Sequence, residues 1–249
     1  MSDMQYVNSY QRLIVTVSIF ALFVVICVAT SLGSYKVSLI DFFNSNYSVL
    51  QKSVMMEIRL PRVILAAFVG ASLSLSGSCL QGLFRNPLAD PGLIGVSAGA
   101  ALGATSFIVL GSNWLSTHAL GEYLLPFSSI LGSAIVISTL FLITRGFGKE
   151  GITYLLLAGI AVNAFAGVGI GILTYMSNDS ELRGLTFWTM GSFGGSNWRM
   201  ILLAGFVIIV TIIWMIRDGR DLDILQLGEF EAYRLGIDIY RLRFNVIIS

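Results

Sequence analysis

The sequence predicts an all-α polytopic membrane protein, a single transmembrane domain over residues 1–249 with six complete spanning helices and the first turns of a seventh. Three observations carry this. Charged residues make up 12% of the chain, about half the roughly 25% usual in soluble domains, and 55% are hydrophobic, leaving too little charge to cover a water-facing surface. Mean hydropathy is +0.82. The apolar runs are continuous rather than alternating, which excludes a transmembrane β-barrel. An aqueous enzyme and a disordered chain are disfavoured, and a net charge of +1 supplies no basic field for nucleic acid.

A spanning helix needs about 20 mostly apolar residues, and six stretches meet or approach this. The first, residues 13–32, has a long apolar core and no small-residue cleavage site leading into polar chain, so it reads as a retained span rather than a signal peptide. The second covers 58–83. The third, 92–110, is short and glycine-rich and opens after Asp90-Pro91, an N-cap followed by proline at the first helical position. The fourth, fifth and sixth cover 124–143, 153–176 and 200–216, and 244–249 begins a seventh. Orientation follows the distribution of Lys and Arg. With the N-terminus inside, Arg12, Arg85, Arg145, Lys149, Arg217, Arg220, Arg234, Arg241 and Arg243 are cytoplasmic, nine against the six of Lys36, Lys52, Arg59, Arg62, Arg183 and Arg199.

Cys27 and Cys79 both lie in apolar runs without paired spacing, and His118 has no Cys, His or carboxylate at ligand spacing, so neither a disulfide framework nor a metal site is expected. Phosphate-loop chemistry is also missing: Gly146-Phe147-Gly148-Lys149-Glu150 has the wrong spacing and no Ser or Thr after the lysine. The spans hold no deep ionisable residues, which weakens an ion- or proton-coupled carrier and suggests an energised partner.

Four constellations stand out. In the run Gln81, Arg85, Asn86, Pro87, Asp90 and Pro91, two X-Pro steps break the helix and build a corner between the second and third spans. Its polar side chains exceed what a corner requires. Small residues recur four apart at Gly95, Gly99 and Gly103, at Gly167 and Gly171, and at Gly70 and Ser74, a spacing that lets helices approach closely in lipid. Asn163, in the middle of the fifth span, either lines a path or bonds a neighbouring helix. Arg59 and Arg62 lie outside in the favoured orientation, at a helix N-terminus where the macrodipole disfavours cations. Either they snorkel to head groups with Glu57 nearby, or an external acidic partner compensates them. The fourth is the polar segment 217–243, in which Leu222, Leu225, Leu227, Phe230, Tyr233, Leu235 and Ile237 interleave with charges, punctuated by Gly228 and Gly236. Two short amphipathic helices fit it, and a mere connection would need no apolar face.

These residues carry a resemblance. Arg59-Leu60-Pro61-Arg62, Gly70-Ala71, Ser76-Gly77, Gln81, the run 85–91, Gly95-Val96-Ser97-Ala98-Gly99-Ala100, Leu155-Leu156-Leu157-Ala158-Gly159, Trp188-Thr189-Met190-Gly191-Ser192-Phe193 and Leu225-Gln226-Leu227-Gly228-Glu229 with Ala232 and Leu235-Gly236 resemble the permease subunits of bacterial ABC importers for iron-siderophore, haem and cobalamin. The resemblance implies a type II importer permease fold of about ten spans, so the sequence as given is expected to be incomplete at its C-terminus. It implies a multi-pass protein of the bacterial inner membrane with a cytoplasmic N-terminus. Implied partners are a dimer of cytoplasmic ATP-binding subunits that hold ATP and Mg, an extracytoplasmic binding protein, and a second permease, identical or different; this chain would bind no cofactor and catalyse no bond chemistry.

Carried over residue by residue, the resemblance makes Arg59 and Arg62 the docking points for the binding protein. Leu222, Leu225, Leu227, Gly228, Glu229, Phe230, Ala232, Tyr233, Leu235 and Gly236 become the ATPase-coupling segment, and Gly148, Thr153, Asn163, Gly167 and Gly171 the pathway and inner gate. Ferric siderophore is the expected substrate, then haem and cobalamin. The rivals from other classes are an ion-coupled secondary carrier and a purely structural membrane subunit.

Overall fold

A computed structural model describes residues 9–33, 35, 47–111, 121–144 and 151–249 of the protein. Among these residues the regular elements are helical. Helix α1 (Ser9–Ser31) is followed by α2 (Val49–Ser53), which runs through a π-helical turn (Val54–Arg59) into α3 (Leu60–Phe84). A 3-10 turn (Pro91–Ile94) leads into α4 (Val96–Leu110), and then come α5 (Gly121–Thr144) and α6 (Gly151–Met176). Helices α7 (Asp179–Met190), α8 (Trp198–Leu225), α9 (Glu229–Arg234) and α10 (Ile239–Ile248) complete the order.

Among the described residues, five helical stretches are long and apolar enough to cross a membrane: Tyr10–Ser31, Val49–Phe84, Tyr123–Ile143, Tyr154–Met176 and Trp198–Leu225. They are the expected first, second, fourth, fifth and sixth spans. The third, α4, has 15 residues, a rise of about 22 Å, short of the roughly 30 Å hydrocarbon core. Two boundaries differ from the sequence reading. The second span begins at Val49 rather than Ile58, because Ser48 and Gln51 form a reciprocal capping box that starts the helix early. The sixth continues to Leu225, so the first half of segment 217–243 is the tail of a long helix; of the two short helices expected there, α9 is one, and α10 opens the seventh span at Ile239, earlier than expected.

The chain forms two compact units, Met1–Gly70 with Phe193–Ile208, and Ala71–Ser192 with Ile209–Ser249. The first is organised around Pro61. Proline donates no backbone hydrogen bond and crowds the carbonyl four residues before it. The helix answers by widening into the π turn just ahead of it, with the Leu60 N–H bonded to the Met55 carbonyl. The Met56 carbonyl, whose five-residue partner would be Pro61, accepts instead from the Trp198 indole at 2.9 Å.

The second unit is organised around glycines. Gly99 and Gly103 of α4 meet the backbone of α5 at Gly132 and Ser128, so closely that a Cβ on any of the three glycines would strike a carbonyl oxygen. Gly159 of α6 is likewise pressed against the Leu93 carbonyl. Gly95 serves differently: at φ 87° it makes the left-handed link between the 3-10 turn and α4. Asp90 caps that turn, its Oδ1 accepting from the Gly92 N–H at 2.7 Å with Pro91 first in the turn, as the sequence implied. Among the described residues nothing lies within 4 Å of the place a Cβ would take on Gly70, Gly167 or Gly171, which corrects their reading as close-packing residues within this chain; α6 packs instead through Gly159, Asn163 and Gly169. Below the glycine crossing, Leu83, Ile94, Leu140, Leu225, Ala232, Leu242 and their neighbours form one buried cluster. Phe244 of α10 closes it against Phe141 of α5, ring centres 5.3 Å apart.

Candidate functional site

The two arginines of the Arg59-Leu60-Pro61-Arg62 run part company. Three residues advance a helix by about 300°, which leaves about 60° between the two side chains, enough at the edge of a buried face to put one in and one out. Arg59 is 8% exposed. Its Nη1 donates to the Thr30 and Ser31 carbonyls at 2.9 Å each, and its Nη2 donates to the Tyr35 carbonyl. A guanidinium thereby satisfies the orphan carbonyls at the end of α1 and complements that helix's dipole. Gly33 has to be glycine for this, since a Cβ there would meet the guanidinium. Burial of Arg59 corrects the expectation that both arginines are free on the surface; Arg62 is exposed, with a 3.4 Å contact from its Nη2 to the Gly194 carbonyl.

The segment expected to couple to an ATPase sorts into two faces. Leu222, Leu225 and Ala232 are buried at 6%, 0% and 0% exposure and belong to the core, which corrects their reading as contact residues for a partner. Leu227, Phe230, Tyr233 and Leu235 are exposed, between 61% and 74%. Gly228 at φ 116° and Gly236 at φ 87° make the sharp corners on either side of α9, so a six-residue helix is presented between two reversals. The Arg234 guanidinium lies 5.7 Å from the Phe230 ring centre and leaves Phe230 in the open. Glu229 is turned inward: its Oε1 accepts from Arg243 Nη2 at 2.7 Å and lies 3.8 Å from Arg85 Nη2.

That second contact reaches the corner after α3. There Asn86 N–H bonds the Gln81 carbonyl and Arg85 N–H the Gly82 carbonyl, the paired bonds of a Schellman helix end. Its left-handed position is normally glycine, yet Arg85 fills it at φ 51°, at a cost of roughly 1–2 kcal/mol for an L side chain. The Gln226 Nε2 donates to the Gly82 carbonyl at 2.8 Å and ties the end of α8 to the same corner. Asn86 turns the chain into Pro87 through its Oδ1, which accepts from the Leu88 N–H at 2.9 Å.

Of the pathway residues, Asn163 resolves to the bonding alternative: its Nδ2 donates to the Gly92 carbonyl at 2.9 Å and holds the 3-10 turn to α6. Gly167 and Gly171 are exposed on α6. Gly148 and the side chain of Thr153 lie outside the described residues, as do His118 and the 146–150 fragment. Among the described residues no three His, Cys, Asp or Glu side chains come together to hold a metal. Helix α7 was not anticipated. Its hydropathy is low, but Asn178 followed by Glu181 was the available signal, and the two form a capping box with bonds of 3.0 Å.

Comparison with known proteins decides the family. The profile of the FecCD transport family matches residues 21–249. The chain belongs to the FecCD transport family. The chain is similar to the hemin transport system permease protein HmuU of Yersinia pestis, 38% identical over 220 residues, 88% of this chain and 65% of the relative. The vitamin B12 import system permease protein BtuC of Escherichia coli O127:H6 is 38% identical over 193 residues, 78% of this chain and 56% of the relative. The chain therefore spans less than two thirds of these curated relatives. A solved inward-facing structure assigned to the metal-chelate type of ABC transporter superposes with a TM-score of 0.80 at 32% identity, over 94% of this chain and 71% of that one. The fold is thus that of this ABC transporter neighbour, the type II permease fold.

Proposed function

We propose that this chain is the transmembrane permease part of an ATP-driven importer that passes a metal chelate from an external binding protein to the cytoplasm. The observation that carries the reading is the split of the coupling segment in a FecCD chain: one face of α9 is anchored in the core, while Phe230 and Tyr233 on its other face, with Leu227 and Leu235 flanking it, are exposed. Exposed aromatic and aliphatic anchors on a short, cornered helix suit a groove on a partner, here the cytoplasmic ATP-binding subunit. That subunit holds ATP and Mg; this chain performs no bond chemistry. A second permease subunit, identical or different, completes the pathway. Closure of the ATPase dimer moves α9 and tilts the spans, alternating access across the membrane.

In this reading the N-terminus is cytoplasmic, and Arg62 on the outer face meets an acidic side chain of the binding protein. Ferric siderophore is the first substrate to test. A second reading, haem or cobalamin, draws support from the names of the relatives.

Two expected outcomes follow. Phe230→Ala with Tyr233→Ala removes two centrally placed anchors, and co-purification of the ATPase with the full-length permease should fall about tenfold or more. Retention of the ATPase at the wild-type ratio counts against the coupling face. Arg62→Glu should weaken binding-protein docking by about tenfold at low salt and by less at high salt, as expected of a rim charge. Arg59→Met, measured beside it, should show no comparable salt-dependent effect in whatever protein folds. Equal docking of Arg62→Glu and wild type at low salt rejects the assignment.

A further inference from the structure

We propose that Arg85, Glu229 and Arg243 form a clasp that makes α9 move together with the end of α3 and the start of α10, with Arg85 as the positioning residue that gives the corner after α3 its role in transport. The inference rests on the reading of α9 as the element the ATPase moves.

Three independent features converge on it. Arg85 occupies the left-handed position of a helix end where glycine is unstrained, and backbone strain at such a position points to a role for the side chain it carries. That side chain reaches the same Glu229 Oε1 that Arg243 holds at 2.7 Å, so one carboxylate oxygen at the first residue of α9 joins two other elements. Helix α9 is bounded by Gly228 and Gly236, both at positive φ. Ala232 seats α9 on the core, and rotation about that seat is resisted by a sideways tie. The Glu229 contacts provide that tie, and the Gln226 bond to the Gly82 carbonyl adds a second at the same corner. Glu229 is therefore withdrawn from the partner-facing surface, which is left to Phe230 and its apolar neighbours. A push on that surface is delivered to α3 and α10 in place of bending the segment.

The test uses the full-length permease with its ATPase and binding protein in vesicles of Escherichia coli polar lipid. The probe is whichever of three labelled compounds, a ferric hydroxamate, haem or cobalamin, the wild-type complex accumulates. Arg85→Gly is the diagnostic variant because it relieves the backbone while deleting the guanidinium. Assembly with the ATPase and basal ATP hydrolysis should stay within about twofold of wild type, whereas uptake per ATP hydrolysed should fall about tenfold, a middling value for coupling between sites. Arg85→Asn, which also tolerates the left-handed region, should behave alike. Glu229→Gln should lose uptake per ATP at least as much, since it weakens the ion pairs to both Arg85 and Arg243, and the double variant Arg85→Gly with Glu229→Gln should be no worse than Glu229→Gln alone, because that change already removes the ion pair Arg85 makes. Uptake per ATP within about twofold of wild type in Arg85→Gly, or losses that add in the double variant, overturns the clasp. So does failure of both Arg85→Gly and Arg85→Asn to assemble, which would make Arg85 merely structural. A wild-type complex that neither binds the ATPase nor moves any of the three probes overturns the transport reading itself, a different result from a clasp variant that assembles and transports normally.

Discussion

Gly132→Val is expected to destabilise the fold strongly. The Cα of Gly132 faces the backbone of α4, and the position a Cβ would take is already filled by the Gly99 carbonyl oxygen. The neighbour is backbone, so no side-chain rotation relieves the clash. Separating α4 from α5 would also open the Gly99 and Gly103 contacts and unseat Ser133, whose Oγ donates to the Val96 carbonyl at 3.0 Å. Overpacking of this kind costs on the order of 3 kcal/mol. Thermal stability in detergent should fall by about 5–10 °C, or the folded protein should fail to accumulate. Gly167→Val is the matched control, since nothing lies within 4 Å of the corresponding position. Equal stability of the two variants would show that the α4–α5 approach is looser than described.

Arg59→Met is the second large effect. Methionine matches the length of the arginine stem but leaves the Thr30, Ser31 and Tyr35 carbonyls without their donor, in a place where the arginine is only 8% exposed. Hydrogen bonds to a charged group are worth about 1.5–3 kcal/mol each, and the three are not independent, so a total loss of roughly 3 kcal/mol is expected. Arg59→Lys should recover only part of it, because one ammonium does not reproduce a planar fork directed at three acceptors. The measurement is chemical or thermal unfolding of the full-length protein in detergent. Lysine restoring full stability would mean that charge alone, rather than the fork, holds the end of α1.

Much of this architecture was written locally in the sequence. Continuous apolar runs located the long helices, Asp90-Pro91 announced its turn, and Gly99 with Gly103 marked a close approach. Each is a signal of one segment about itself. What remained hidden required knowledge of a partner. Four-residue spacing at Gly167 and Gly171 matches that at Gly99 and Gly103, yet only the latter pair meets another helix of this chain, since spacing states which residues share a face and not what lies opposite. Arg59 and Arg62 looked alike for the same reason, and the carbonyls that claim Arg59 include those of Thr30 and Ser31, far back at the end of α1. The π turn was latent in Pro61, but its repair by Trp198 joins distant segments. Interleaved charge and apolar residues announced an amphipathic segment, whereas the inward turn of Glu229 depended on Arg85 and Arg243 being brought to it by the fold.

The central claim, import of a metal chelate through this permease, is tested most directly by uptake. A strain deleted for the full-length gene would be compared with the complemented strain for energy-dependent accumulation of labelled ferric siderophore, haem and cobalamin under iron limitation. Loss of one of the three on deletion, its recovery on complementation, and no recovery with the Phe230→Ala and Tyr233→Ala double variant are the predicted results. Unchanged accumulation of all three in the deleted strain would contradict it.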